Sequence, residues 1–272
     1  MRAAGSRAYA EVYRAVLRDL APGAGCVAVH PCEETPAAIM GRIDPSAIDG
    51  VVWTGSSLNV YKADPEVTAQ VALFERLFEA GAPIFGSCWG LQVMATALGG
   101  KVRRNPYGRE VGIARDVTLT AAGAAHPMYA SKPPRFDSIA AHIDEVEILP
   151  RGSVVLAGNA ASAIQAAVLE EDGRSFWGVQ YHPEFDLQVL AQSMRRGGDE
   201  LIAEGFLATR AEVEAICASL ERIDAAPQAH RATRGLFGVS DSVADDDMRR
   251  REIANWIETV ALPRAATRRS GL

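Results

Sequence analysis

The sequence predicts an α/β fold, a mostly parallel central sheet with helices on both faces, followed by a C-terminal helical extension. Three features point there. Short apolar runs alternate with helical patterns up to about residue 100, the signature of strand–helix–strand units. From about 102 to 185 the signals are those of strand and turn. After Asp186 they become helical again and exceed what one sheet needs as cover. The expected division is 1–190 for the sheet domain and 191–272 for the C-terminal helices and a basic tail.

Residues 8–20 carry Ala8, Val12, Ala15, Val16 and Leu20 along one side, which predicts a helix. A strand normally comes first in such a sheet, yet Met1 to Arg7 is a poor strand; either the natural start lies upstream or the sheet lacks a strand. Cys26-Val27-Ala28-Val29, closed by Pro31, reads as one strand and Ile48 to Trp53 as the next. The helix that follows has Asp64 to cap it, Pro65 in its first turn and Gly81 to end it. Val67, Val71, Phe74 and Phe78 form its buried stripe. Ala82-Pro83-Ile84-Phe85 is a buried strand running into Gly86-Ser87-Cys88-Trp89-Gly90. Leu91, Met94, Ala95 and Leu98 share one face of the next helix, stopped by Gly99-Gly100.

Further strands are Val117-Thr118-Leu119, Val154-Val155-Leu156, Ala163 to Leu169 and Phe176 to Tyr181, the last two joined by a hairpin turn at Glu171-Asp172-Gly173-Arg174. Leu187 to about Ile223 reads as two or three helices broken near Gly197-Gly198 and Gly205. A loop over 225–243, a final helix from Asp245 to Val260 and a frayed tail from Pro263 complete the chain.

Composition narrows the function classes. Of 272 residues, 48% are apolar and 23% charged, ordinary globular values that supply a sizeable core. A net charge of -6 carries no nucleic-acid footprint. No apolar run approaches the roughly 20 residues that span a bilayer, and Met1 to Ala10 lacks the apolar stretch of a signal peptide. Cys26, Cys32, Cys88 and Cys217 are too scattered for a disulfide framework or a zinc site. The expectation is a reduced, cytoplasmic protein with no metal, no cofactor, no membrane and no nucleic-acid partner.

The Gly-x-Cys-x-Gly at 86–90 lies between a strand and a helix, the cysteine form of a nucleophile elbow. Such a turn forces its central residue into a strained backbone and lifts the side chain above the sheet. Glycines two positions to either side avoid clashes with neighbouring elements. The helix N-terminus behind Cys88 favours negative charge on the sulfur and aims the Trp89 N–H at a bound oxyanion. The bland alternative is an inert core cysteine.

A nucleophilic sulfur needs a base. Among His30, His126, His142, His182 and His230, His182 ends the strand Phe176 to Tyr181 and precedes Pro183-Glu184. Residues two apart in extended chain point to the same side, so His182 and Glu184 can face one site while Pro183 fixes the backbone between them. A carboxylate beside an imidazole selects its tautomer and stabilises the imidazolium. The order Cys, His, Glu differs from that of α/β-hydrolases, where the acid precedes the histidine.

Gly86-Ser87-Cys88-Trp89-Gly90-Leu91-Gln92 and Gly178-Val179-Gln180-Tyr181-His182-Pro183-Glu184 closely resemble the two signatures of class I, triad-type, glutamine amidotransferases, in particular stand-alone members like the GMP-synthetase glutaminase. Asp49-Gly50-Val51-Val52-Trp53-Thr54-Gly55-Ser56 resembles the family's oxyanion loop. Asn105 to Gly112 also matches, and His142-Ile143-Asp144-Glu145-Val146 is similar to a segment near the glutamine pocket of GMP-synthetase-like members. The family often has Leu, Phe or a smaller residue where Trp89 stands and His where Leu91 stands.

Over residues 26–186 the resemblance implies a flavodoxin-like fold and hydrolysis of a small-molecule substrate, glutamine or another γ-glutamyl compound. It implies Cys88 as nucleophile, His182 as base, Glu184 as its orienter, Gly55 and Trp89 as oxyanion donors, and Gln92 and His142 at the substrate. Ammonia would pass to a separate synthetase. A partner-independent γ-glutamyl hydrolase or transferase and a non-catalytic binding protein are the alternatives. His126 reads as a turn residue, His30, Cys26, Cys32 and Cys217 as structural, Trp53 and Trp177 as core anchors, and Arg249-Arg250-Arg251 as a solvated face.

Overall fold

The computed structural model describes residues 9–270, so the weak strand at Met1 to Arg7 lies outside the described residues. Helix α1 (Tyr9–Leu20) precedes β1 (Val51–Trp53), α2 (Pro65–Glu79), β2 (Ile84–Ser87) and α3 (Trp89–Ala97). Strands β3 (Lys101–Arg104), β4 (Glu110–Leu119), β5 (Arg135–His142), β6 (Asp144–Ile148), β7 (Val154–Gly158), β8 (Ala166–Glu171) and β9 (Arg174–Val179) follow. The main C-terminal helices are α4 (Leu187–Arg196), α5 (Arg210–Ala225), α6 (Arg251–Trp256) and α7 (Leu262–Ser270).

The fold is α/β. Its main sheet has the order β1-β2-β9-β8-β7-β4-β5, and β3 pairs with β6 in a separate ribbon. β1, β2 and β9 are parallel neighbours, which is the part that carries the candidate site. The other pairs are antiparallel, making the sheet mixed. Tight turns such as Asp172-Gly173, with φ of 49° and 76°, can join only antiparallel strands.

Side-chain alternation explains why both faces are covered. Ile84 and Phe176 pack with Phe74 of α2 and Leu91 of α3. Their neighbours Phe85 and Trp177 pack on the opposite face with Tyr13 of α1 and Trp256 of α6. A third cluster joins Val12 and Phe185 to Leu190 of α4 and Leu220 of α5. The C-terminal helices therefore share core with the sheet, each large apolar side chain so buried contributing about 1.5–3 kcal/mol.

Four expectations are corrected. Cys26 to Val29 forms no strand: Val27 is 78% exposed, and the segment lines a cleft instead of pairing with the three-residue edge strand β1. The loop over 225–243 contains helical turns at Arg231–Phe237 and Asp241–Ala244. The tail is helical to Ser270, tied down by Arg264 donating to the Ile48 carbonyl and by Arg268 bound through two nitrogens to Asp49. Arg249 is buried, its charge met by Asp246 and the Val243 carbonyl.

Candidate active site

Strand β2 runs into α3 through Cys88, whose φ of 48° and ψ of -94° lie outside the regions ordinary residues favour. Its N–H donates to the Val179 carbonyl at 2.7 Å, which ties the turn to β9. The flanking glycines are sterically required. A Cβ at Gly86 would lie 2.9 Å from the Gly90 carbonyl carbon, and one at Gly90 would lie 3.0 Å from the Trp53 carbonyl oxygen. Cys88 is 4% exposed and lines a cleft of about 2080 Å³. Parts of α1, the loop after β1 and helix α4 form the other walls of that cleft.

His182 and Glu184 follow β9 and are buried beside the elbow. Nδ1 of His182 is 2.8 Å from Oε1 of Glu184, which leaves Nε2 for the sulfur. The imidazole interacts with the Cys88 side chain and stacks on Phe185 at 4.0 Å between ring centroids. Burial works against the imidazolium, but the Glu184 charge, then the bonds to Cys88 and Glu184, raise the His182 pKa well above the ordinary 6.5. The second Glu184 oxygen accepts from the Ser87 hydroxyl at 3.0 Å, and Ser87 is in turn hydrogen-bonded to the Tyr13 phenol.

The other predicted residues gather round the same cleft, which Gly55, Trp89, Gln92 and His142 all line. Gly55 lies against the imidazole. Trp89 opens α3, where the first N–H groups of a helix have no partner within it; its indole donates to Gln70 at 2.8 Å. Gln92 donates to the Asp144 carbonyl at 3.3 Å and to Gln180 Oε1 at 3.4 Å. Asp144 is held by Asn59 at 2.7 Å and Tyr61 at 3.0 Å.

His142 lies between the Asp144 carbonyl, 3.0 Å from Nδ1, and Glu110, 2.9 Å from Nε2. Burial of Glu110 opposes its charge, but His142, Asn159 and Gln165 outweigh it and hold the carboxyl below its usual range. Among the described residues no group of three or more His, Cys, Asp or Glu could hold a metal, and no helix is long and apolar enough to cross a membrane.

Sequence reasoning missed Tyr13, Ser87 and Glu110. Ser87 lay inside the elbow motif and Glu110 inside a segment already singled out. Tyr13 sits between Val12 and Val16 on the buried side of α1, an aromatic with a polar tip that must find a partner when buried. Chemically, a sulfur, an imidazole and a carboxylate in series, with the first amides of a helix beside them, can support nucleophilic attack on a carbonyl.

A family model described as glutamine amidotransferase class-I matches residues 8–198. The chain is 35% identical over 222 residues to gamma-glutamyl-L-1-hydroxyisopropylamide hydrolase from a Pseudomonas species, covering 80% of this chain and 75% of that protein. It is 36% identical over 155 residues to the glutamine-hydrolysing GMP synthase of Symbiobacterium thermophilum, covering 56% of this chain but only 28% of that enzyme. The crystal structure of a glutamine amidotransferase from Methylobacillus flagellatus superposes with a TM-score of 0.57 at 18% identity, over 80% of this chain and 79% of that one, and so shares the fold. The chain belongs to the class I glutamine amidotransferase family.

Proposed function

We propose that the chain is a cysteine-dependent hydrolase of γ-glutamyl amides. The Cys88 sulfur attacks the side-chain amide carbon of the substrate, and the carbonyl oxygen becomes an oxyanion met by the Gly55 and Trp89 N–H groups. His182, oriented by Glu184, takes the thiol proton and gives it to the departing nitrogen, so the C–N bond breaks and a γ-glutamyl thioester remains. Water then gives a proton to His182 and its oxygen to the thioester carbon, releasing glutamate and restoring the thiol. Gln92 and His142 border the γ-glutamyl group.

The observation that carries this reading is the strained Cys88 beside a buried, hydrogen-bonded His182–Glu184 pair. Similarity to a γ-glutamyl alkylamide hydrolase across most of its length favours a substrate with a substituted amine and no synthetase partner. The second reading, ammonia transfer to a separate synthetase, is supported by the GMP-synthase relatives, although the chain spans about a quarter of the one named above. The cysteines among the described residues are free, which suits a reducing compartment, the cytoplasm.

Purified protein should release glutamate from a γ-glutamyl alkylamide faster than from glutamine. Cys88→Ala should lose activity by several orders of magnitude while remaining folded, because members of such a unit act together. Wild-type turnover by that variant would refute the assignment. Weak glutamine hydrolysis that rises sharply on adding a synthetase would favour the second reading.

A further inference from the structure

We propose that Ser87 and Tyr13 are positioning residues of this site, a buried chain Tyr13–Ser87–Glu184 that holds the carboxylate in register with the sulfur. The inference rests on the proposed roles of Cys88, His182 and Glu184 and adds two residues to them. Glu184 has one oxygen on His182 and the other on Ser87, at 2.8 and 3.0 Å. Serine has a single hydroxyl proton. That proton goes to Glu184, so the bond between Tyr13 and Ser87 must be donated by the phenol. Both hydroxyl protons therefore point along the chain towards the carboxylate.

Position gives this chain its use. Ser87 is the last residue of β2 and the covalent neighbour of Cys88, whereas Glu184 arrives on a separate segment after β9. The Ser87 hydroxyl is thus a direct strut between the strand bearing the sulfur and the acid that orients the base. Ser87 is fully buried and Tyr13 1% exposed, so bulk water cannot replace a lost donor. A carboxylate without it can turn about its terminal torsion, which is broad, and the imidazole follows. Burial, then the Glu184 charge, push the Tyr13 phenol well above its ordinary 10, which keeps it a donor at working pH.

Three variants test this with a γ-glutamyl amide as substrate. Ser87→Ala removes the strut, Tyr13→Phe removes only its outer donor, and Ser87→Thr keeps the hydroxyl. The expected result is a roughly ten- to hundredfold fall in kcat for Ser87→Ala, the range for a lost hydrogen bond to a charged group. KM should stay near wild type, Tyr13→Phe should lose less, and Ser87→Thr should recover most of the rate. Among the described residues, the titratable groups facing His182 are Glu184, Cys88 and Tyr9, whose ring lies 6.5 Å away and whose hydroxyl accepts from Arg196. Because Glu184 sustains the imidazolium, a carboxylate free to turn away moves the basic limb of kcat/KM to lower pH in Ser87→Ala. A purely space-filling serine would leave that limb in place.

The double variant should lose less than the product of the two single losses, because both donors act on the one Glu184 carboxylate. Folded Ser87→Ala with wild-type kcat and an unmoved basic limb would overturn the proposal, as would fully additive losses in the double variant. Should Ser87→Ala not fold, Tyr13→Phe decides: an unchanged kcat and limb there overturn it. Activity surviving in Cys88→Ala would instead overturn the underlying assignment, a different result read in a different protein.

Discussion

A Cβ added at Gly55 would stand 2.7 Å from Cε1 of His182, inside the distance at which carbon atoms pack. The loop after β1 therefore approaches the Cε1 edge of the imidazole by backbone alone. Phe185 stacks on a face of the ring with only 13° between planes, so the imidazole is held on that face and at its Cε1 edge. Gly55→Ala should displace either the ring or the loop. Because a misplacement of about 1 Å can cost about a hundredfold in rate, kcat should fall by one to two orders of magnitude with little change in the unfolding midpoint. A variant that matches wild-type kcat would mean that loop and ring are not packed this way during turnover.

At the scale of elements, the junction between β2 and α3 decides where the sulfur stands. Gly86 and Gly90 let strand and helix backbones meet, and Gly178 on β9 leaves room for the Phe176 ring and Leu91. In Gly86→Ala the new methyl would meet the Gly90 backbone at 2.9 Å and Phe176 at 3.0 Å, and backbone cannot rotate aside as a side chain does. The expected loss is about 1–3 kcal/mol of stability, the range for overpacking, read by urea unfolding; a neutral result would show that the helix can slide on the sheet.

These glycines were legible in the sequence because turn, helix start and nucleophile occupy five consecutive residues. The pairing of Cys88 with His182 was legible for a similar reason, as each ends a strand predicted from its apolar run. Cys26 to Val29 misled because four apolar residues become a strand only when a neighbouring edge accepts their ladder. Ser87 to Glu184 and Tyr13 to Ser87 were invisible, since contacts 97 and 74 residues apart leave no periodic trace.

At the scale of the whole molecule, a buried ionic group that no local pattern announces joins α6 to the segments before β5 and after β9. Lys132, before β5, is 2.6 Å from Oε1 of Glu252 on α6, and the same oxygen accepts from Tyr181 at 2.5 Å. Asn255 of α6 also donates to the Met128 and Ala130 carbonyls, so the C-terminal helix is pinned beside the segment leading into His182. Burial pushes the Lys132 ammonium below its ordinary range despite the facing carboxylate, and a buried pair commonly repays its desolvation only in part. Oε2 of Glu252 has no protein partner among the described residues. Removing one partner leaves a buried charge, so Lys132→Met should lose about 3–5 kcal/mol in urea unfolding. Adding Glu252→Leu removes that charge, while Tyr181 keeps its 2.8 Å bond to Tyr129. The double variant should therefore regain most or all of the loss. If it stays as unstable as Lys132→Met, the pair contributes net stability itself, and the C-terminal helix is held by charge and not by the apolar contacts of Ile253 and Trp256.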